Sequence, residues 1–186
     1  MDFLKNRAVA IVLAVVIVLG STLVTSGTKL KSQCQKITDG FYSGVTYDGY
    51  DHPSIQSQLK NISSAALGLA TIASNYTGVD AAAVKTDRDN LDSSLEKGTP
   101  SQIYDIYTAL TADTAALVSS LRAQTLSDRD SSGVDQYESI ISSASGVIDK
   151  SGYNDTVRDF LRSTYNVFPA SFFASLTGVN PPELFE

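Results

Sequence analysis

Apolar residues recur along most of this chain at the alternating three- and four-residue spacing of amphipathic helices. From Ile55 the positions Ile55, Leu59, Ile62, Ala66, Leu69, Ala73 and Tyr76 form an a/d seam. That seam predicts a helix of about 24 residues with one face packed on other helices. Asp51 is placed to cap it, Pro53 sits just inside its start, and Gly78 follows its end. A second seam runs through Ile103, Tyr107, Leu110, Thr114, Leu117 and Leu121. The Thr99-Pro100-Ser101-Gln102 sequence ahead of it has the form of a capping box with Pro at the first helical position. Between the two, residues 80–97 place Val84, Leu91 and Leu95 on one face, with Gly98 as the stop. A further pattern begins at Val134 with Tyr137, Ile141, Ala144 and Ile148, and resumes with Val157, Phe160 or Leu161, and Phe168. Gly146 and Gly152 inside it predict a kink or weak point, since each Gly costs about 1 kcal/mol against Ala in a helix. Residues 44–53, GVTYDGYDHP, read as a loop. No stretch alternates with period two for long enough to predict a strand.

The amino-terminal end has a different character. Residues 8–28 carry no charge and open with AVAIVLAVVIVLG. As a helix they would cover about 31 Å, close to the ~30 Å of a hydrocarbon core. Lys5 and Arg7 would suit a cleaved signal peptide as well. The length of the run and the lack of an A-x-A site favour an uncleaved anchor. The expected fold class is therefore all-α: an amino-terminal transmembrane helix followed by an antiparallel helical bundle of about four long helices, coiled-coil-like in its packing. The expected divisions are an amino-terminal tail and anchor over 1–28, a bundle over 29–167, and an apolar carboxyl-terminal tail over 168–186. Sidedness is nearly balanced. Lys5 and Arg7 lie before the run, and Lys29, Lys31 and Lys36 after it, which leans toward a cytoplasmic bundle. The Ser/Thr-rich composition, 41 of 186 residues, looks instead like that of an exported protein.

Composition narrows the chemistry. The chain has a formal charge of -6, with 20 Asp and Glu against 14 Lys and Arg, which disfavours a nucleic-acid partner. One Cys and one His exclude an intrachain disulfide and a Cys/His zinc site. Lys31, Ser32 and Gln33 ahead of Cys34 do not make a lipobox, so Cys34 reads as a solitary thiol. Asp128, Asp130 and Gly133 fit positions one, three and six of a calcium loop. Ser139 stands where the bidentate Glu belongs, so the segment reads as a connection between helices. His52 has no motif around it that would make it a catalytic base. Asp87, Asp89 and Asp92 read as a solvated helix face. No catalytic, cofactor-binding or metal-binding residue is expected. Tyr153-Asn154, echoed by Tyr165-Asn166, reads as a buried hydrogen-bond clasp between helices, with a polar recognition surface as the other reading. The tail carries Phe168, Phe172, Phe173, Leu176, Val179, Leu184 and Phe185 and no Lys or Arg. It is expected to fold on the bundle or on a neighbouring subunit, anchored by Phe168, Phe172 or Phe173. Insertion beside anionic lipid is disfavoured, because Glu183 and Glu186 are the tail's only charges and no basic residue attracts the surface.

The last 34 residues, YNDTVRDFLRSTYNVFPASFFASLTGVNPPELFE, resemble the carboxyl-terminal signature of the LemA family. The matching positions are Tyr153, Asn154, Asp155, Val157, Phe168, Pro169, Ala174, Leu176, Gly178, Pro181, Phe185 and Glu186. Residues 145–152, SGVIDKSG, stand where the family has an acidic-Asn-Arg stretch, and the chain has no Trp for the family's Ala-Trp region. The resemblance implies a bacterial, single-pass protein of the cell membrane with a helical domain. Its expected role is that of a non-enzymatic scaffold or assembly protein of the envelope. Expected partners are the lipid bilayer, further copies of the chain and an envelope protein. Ala10 and Ala14, at small-xxx-small spacing in the anchor, also point to a homo-oligomer. The alternative is an extracytoplasmic sensor or ligand-binding bundle acting on a partner protein.

Overall fold

The computed structural model describes the backbone of residues 7–186 and the side chains of residue 11 and residues 21–186. Helix α1 spans Arg7–Ser43. A hairpin of β1, Val45–Tyr47, and β2, Tyr50–His52, follows. The remaining helices are α2 Ile55–Ala73, α3 Ala82–Lys97, α4 Pro100–Arg122, α5 Asp128–Asp149, α6 Tyr153–Phe160 and α7 Ala170–Thr177. A π-helical turn, Leu161–Tyr165, continues α6. The chain forms two compact units that are not consecutive in sequence. One comprises Met1–Thr38 with Val157–Pro182, the other Asp39–Thr156 with Glu183–Glu186.

The second unit is a helical bundle. Helix α2 packs on α3, α4 and α5, and α4 on α3 and α5. Side-chain bonds at the helix ends fix the directions. Gln56 at the start of α2 donates to the Leu95 carbonyl at the end of α3, at 3.4 Å. Tyr76, beyond the end of α2, donates to Asp130 at the start of α5, at 2.7 Å. Arg122, ending α4, pairs with Asp135 near the start of α5 at 3.0 Å. The pairs α2–α3, α2–α5 and α4–α5 are thus antiparallel, which leaves α2 and α4 parallel. The α2 and α4 seams point inward: Leu59, Ile62, Leu69, Ile103, Leu110 and Leu121 are all fully buried. Leu91 of α3 and Val134 of α5 complete that core. Its buried Ser63 is satisfied by donating to the Asp92 carboxylate at 2.7 Å.

Three expectations are corrected here. Residues 44–53 are not a plain loop, and the described chain is not purely helical: β1 and β2 pair antiparallel, Val45 with His52 and Tyr47 with Tyr50. Asp48 and Gly49 between them both take positive φ, 51° and 81°, which the tightest two-residue hairpin turn demands. Because β2 uses residues 50–52, Asp51 cannot cap α2. Ser54 does so instead, accepting from the Ser57 N–H at 3.1 Å, and α2 has 19 residues with Pro53 outside it. Finally, α5 starts six residues before Val134. Ser127 caps it by accepting from the Asp130 N–H at 3.1 Å, so residues 128–133 are its opening turns, where Asp favours the positive end of the helix dipole. Gly146 lies within α5 without interrupting it.

In the first unit Leu30 and Cys34 of α1 form a small buried cluster with Ala174 of α7. Phe160, Tyr165, Ala170 and Val179 pack around it. Gly27 allows the close approach of α7, since a Cβ there would lie 2.7 Å from the Thr177 methyl carbon. Among the described residues no helix is long and apolar enough to cross a membrane. The anchor expected at 8–28 falls for the most part on side chains outside those described.

Candidate functional site

The most elaborate constellation lies in the second unit, where the last four residues meet the start of α6. Gly152, at φ 69°, ends the connection from α5 and lets α6 open with Tyr153 and Asn154 side by side. The Asn154 amide reads the backbone of one tail residue twice. Its Nδ2 donates to the Phe185 carbonyl at 2.9 Å, and the Phe185 N–H donates to its Oδ1 at 2.8 Å. This is the pairing one strand offers another, supplied by a single side chain. The Tyr153 hydroxyl donates to the Glu183 carbonyl at 2.9 Å. Burial first, then Tyr42 and Glu183, push the Tyr153 phenol above its usual range, so it remains a donor.

Phe185 itself is only 4% exposed. Its ring centroid lies 5.1 Å from Tyr104, 5.5 Å from Phe41 and 5.8 Å from Tyr107. Phe41 comes from the end of α1, and the two tyrosines from the first turns of α4. Edge-on contact with Tyr104 suits the quadrupoles of the two rings. Burial raises the Tyr107 phenol, opposed by a hydrogen bond from Ser145. The site therefore holds the chain's own last residues through their backbone and one aromatic side chain.

No family model, curated protein or solved structure matches the chain.

The Tyr-Asn pair is a clasp, but its partner is the tail backbone rather than another helix. The second pair behaves differently. Within the first unit the Tyr165 hydroxyl donates to the Val179 carbonyl at 2.6 Å, while Asn166 only ends the π-helical turn. Of the expected tail anchors Phe173 is half-buried, and the other two are corrected. Phe168 and Phe172 are 78% and 52% exposed, and the buried aromatic residue is Phe185. Sequence reasoning missed Phe41 and Tyr104 because their shared partner lies at the far end of the chain. The terminal Phe-Glu was the available signal.

The other candidate residues are not drawn together. His52 closes the β ladder opposite Val45. Asp128 and Asp130 lie in the first turn of α5, and the Asp130 carboxyl is held below its usual range by the Tyr76 hydroxyl and then Ser127. Among the described residues no three His, Cys, Asp or Glu side chains cluster as metal ligands. Arg88 pairs with Asp89 and Asp92, each at 2.9 Å. Cys34 is buried, and burial raises its thiol pKa, which makes it a poor nucleophile. A shallow groove of about 1000 Å³ lies along α2 and α5, lined by Ser64, Thr71, Asn75, Asp130 and Gln136 among others. Its floor is Gly68, over which Tyr137 lies so closely that a Cβ would sit 2.3 Å from the phenol ring.

Proposed function

We propose that this chain is a membrane-anchored, LemA-like helical protein that acts as a non-enzymatic scaffold or assembly protein of the bacterial envelope, as a homo-oligomer. One observation carries the reading. Tyr153, Asn154 and Phe185, which bear the resemblance to that family, are the residues that bind the chain end into the bundle unit. A sequence signature that builds a clasp rather than a reaction centre suits a protein whose work is to hold shape and present surfaces. The uncharged run 8–28 lies on the continuous helix α1, which suits an anchor.

The test is to express the full chain in a bacterial cell, wash the membranes with alkaline carbonate, and measure the particle mass in nanodiscs. Retention in the washed membrane with a multiple of the 19.8 kDa chain mass is the expected result. Release by carbonate, or a single-chain mass at every concentration, rejects the anchored oligomer. A second reading, an extracytoplasmic sensor or ligand-binding bundle, draws on the polar groove along α2 and α5.

A further inference from the structure

The charge of this protein is divided unevenly between its two units. Met1–Thr38 and Val157–Pro182 together hold seven Lys and Arg against two Asp, a formal +5, of which the residues after the uncharged run 8–28 (Lys29, Lys31, Lys36, Arg158 and Arg162 against Asp159) contribute +4. The bundle unit holds seven Lys and Arg against 18 Asp and Glu, a formal -11. The overall -6 thus conceals a basic unit. Exposed apolar surface is concentrated in that same unit. Phe168 is 78% exposed, Phe172 52% and Leu176 56%, and they recur at four-residue spacing along the turn before α7 and α7 itself. Residues 163–182 contain no charged side chain. A soluble surface does not usually leave such a stripe in water, since burying large apolar side chains is favourable.

The position of α7 within its unit indicates what covers the stripe. The end of α7 touches α1 at Gly27, where Thr177 lies against the helix, and Ala174 packs with Leu30 and Cys34. Residue 27 is at the end of the uncharged run 8–28. In the same unit Val24 is 66% exposed, and Lys29, Lys31 and Arg162 are exposed. An apolar stripe on a short helix, with basic residues in the same unit and beside the last turn of an anchor, fits a bilayer with anionic headgroups.

We propose that α7 is an interfacial helix: Phe168, Phe172 and Leu176 insert into the headgroup boundary of an anionic membrane, with Lys29, Lys31 and Arg162 against the lipid phosphates. This rests on the proposed anchor over 8–28. It would make the basic unit a lipid-reading module and leave the acidic bundle to other contacts.

The chain has no Trp, so a single introduced Trp is an unambiguous reporter. The full chain carrying Phe172→Trp, and separately Ile17→Trp, is reconstituted in vesicles of phosphatidylcholine with phosphatidylglycerol. Lipids brominated at shallow or deep acyl positions are included as quenchers. Insertion predicts that the residue-172 reporter shifts to the blue and loses most of its emission to shallow bromines, while the residue-17 reporter is quenched by deep ones. If residue 17 is quenched and residue 172 is not, the anchor stands and the interfacial helix is rejected. If residue 172 is blue-shifted yet unquenched, protein covers the stripe and the proposal is again rejected. If neither is quenched, the anchor reading fails and the interfacial helix falls with it. Phe172 is exposed, so its replacement does not threaten the fold. A melting curve matching that of the parent chain checks this.

Discussion

Asn154 shows how much a single amide can do when both of its halves find partners on one residue. Its two hydrogen bonds to Phe185 satisfy a backbone N–H and carbonyl that are partly removed from water. Asn154→Ala should lower the unfolding free energy by about 2 kcal/mol, and Phe185→Ala by about 3–5 kcal/mol through loss of the ring from its aromatic site. The double variant should lose less than the sum, because both changes act on the same docked segment. Denaturant unfolding of the full chain in detergent, followed by helix circular dichroism, measures all three. An Asn154→Ala chain as stable as the parent would show that the clasp contributes nothing. A second residue-scale effect concerns Asp87, whose carboxyl is pushed up by burial and then by Asp113. The folded chain therefore binds that proton more tightly than the unfolded chain does. This contribution to stability is present below the carboxylate range and is lost as pH rises through it. Asp87→Asn should accordingly raise the melting temperature near about pH 7 and leave it unchanged near about pH 3. Equal shifts at both pH values would refute the raised Asp87 carboxyl as the cause.

At the scale of elements, the parts legible in the sequence are those governed by a long repeating pattern. The seams of α2 and α4 could be read directly, because burial of one helix face imposes its period over several turns. Where a boundary depends on a local competition, the pattern is silent. The hairpin has strands of three residues each, too short to alternate visibly, and its signal is the Asp48-Gly49 turn. The start of α5 is hidden in DRDSSG, whose small polar residues suit a loop and a first helical turn equally. Gly44, between α1 and β1, decides the hairpin's placement. It sits at φ 89°, and a Cβ there would lie 2.3 Å from the His52 carbonyl oxygen. Gly44→Ala should therefore cost about 2 kcal/mol or more. Gly49→Asn should cost much less, because Asn tolerates positive φ and a Cβ there meets nothing within 4 Å. Thermal melts of the two variants compare strain with steric conflict directly, and equal losses would refute the conflict at Gly44.

At the scale of the molecule, the bundle unit is closed by residues that arrive last. Phe41 is far in the chain from Tyr104 and Tyr107, and the ring of Phe185 lies among the three only because the fold returns the carboxyl terminus to them. No local pattern encodes such a contact, so the site was legible only as an isolated Tyr-Asn pair and a terminal Phe-Glu. The same geometry makes the last four residues separable from the helices they complete. Gly178 takes a left-handed φ of 65°, residues 178–182 have no regular structure, and Glu183–Glu186 belong by their contacts to the bundle unit. A chain ending at Pro182 should keep its helical circular dichroism, since the α2 and α4 seams remain buried without the tail. It should lose stability by at least as much as Phe185→Ala, about 3–5 kcal/mol, because the ring and the clasp disappear together. A synthetic peptide of residues 180–186 added to that shortened chain should restore the melting temperature progressively. A ligand that binds only the folded state stabilises it in proportion to the logarithm of its concentration once above its dissociation constant. The same peptide with Ala in place of Phe185 should have no effect. A shortened chain that melts like the parent would mean that the aromatic site closes without its occupant. A loss that the peptide cannot reverse at any concentration would mean that the segment is held by its covalent connection rather than recognised.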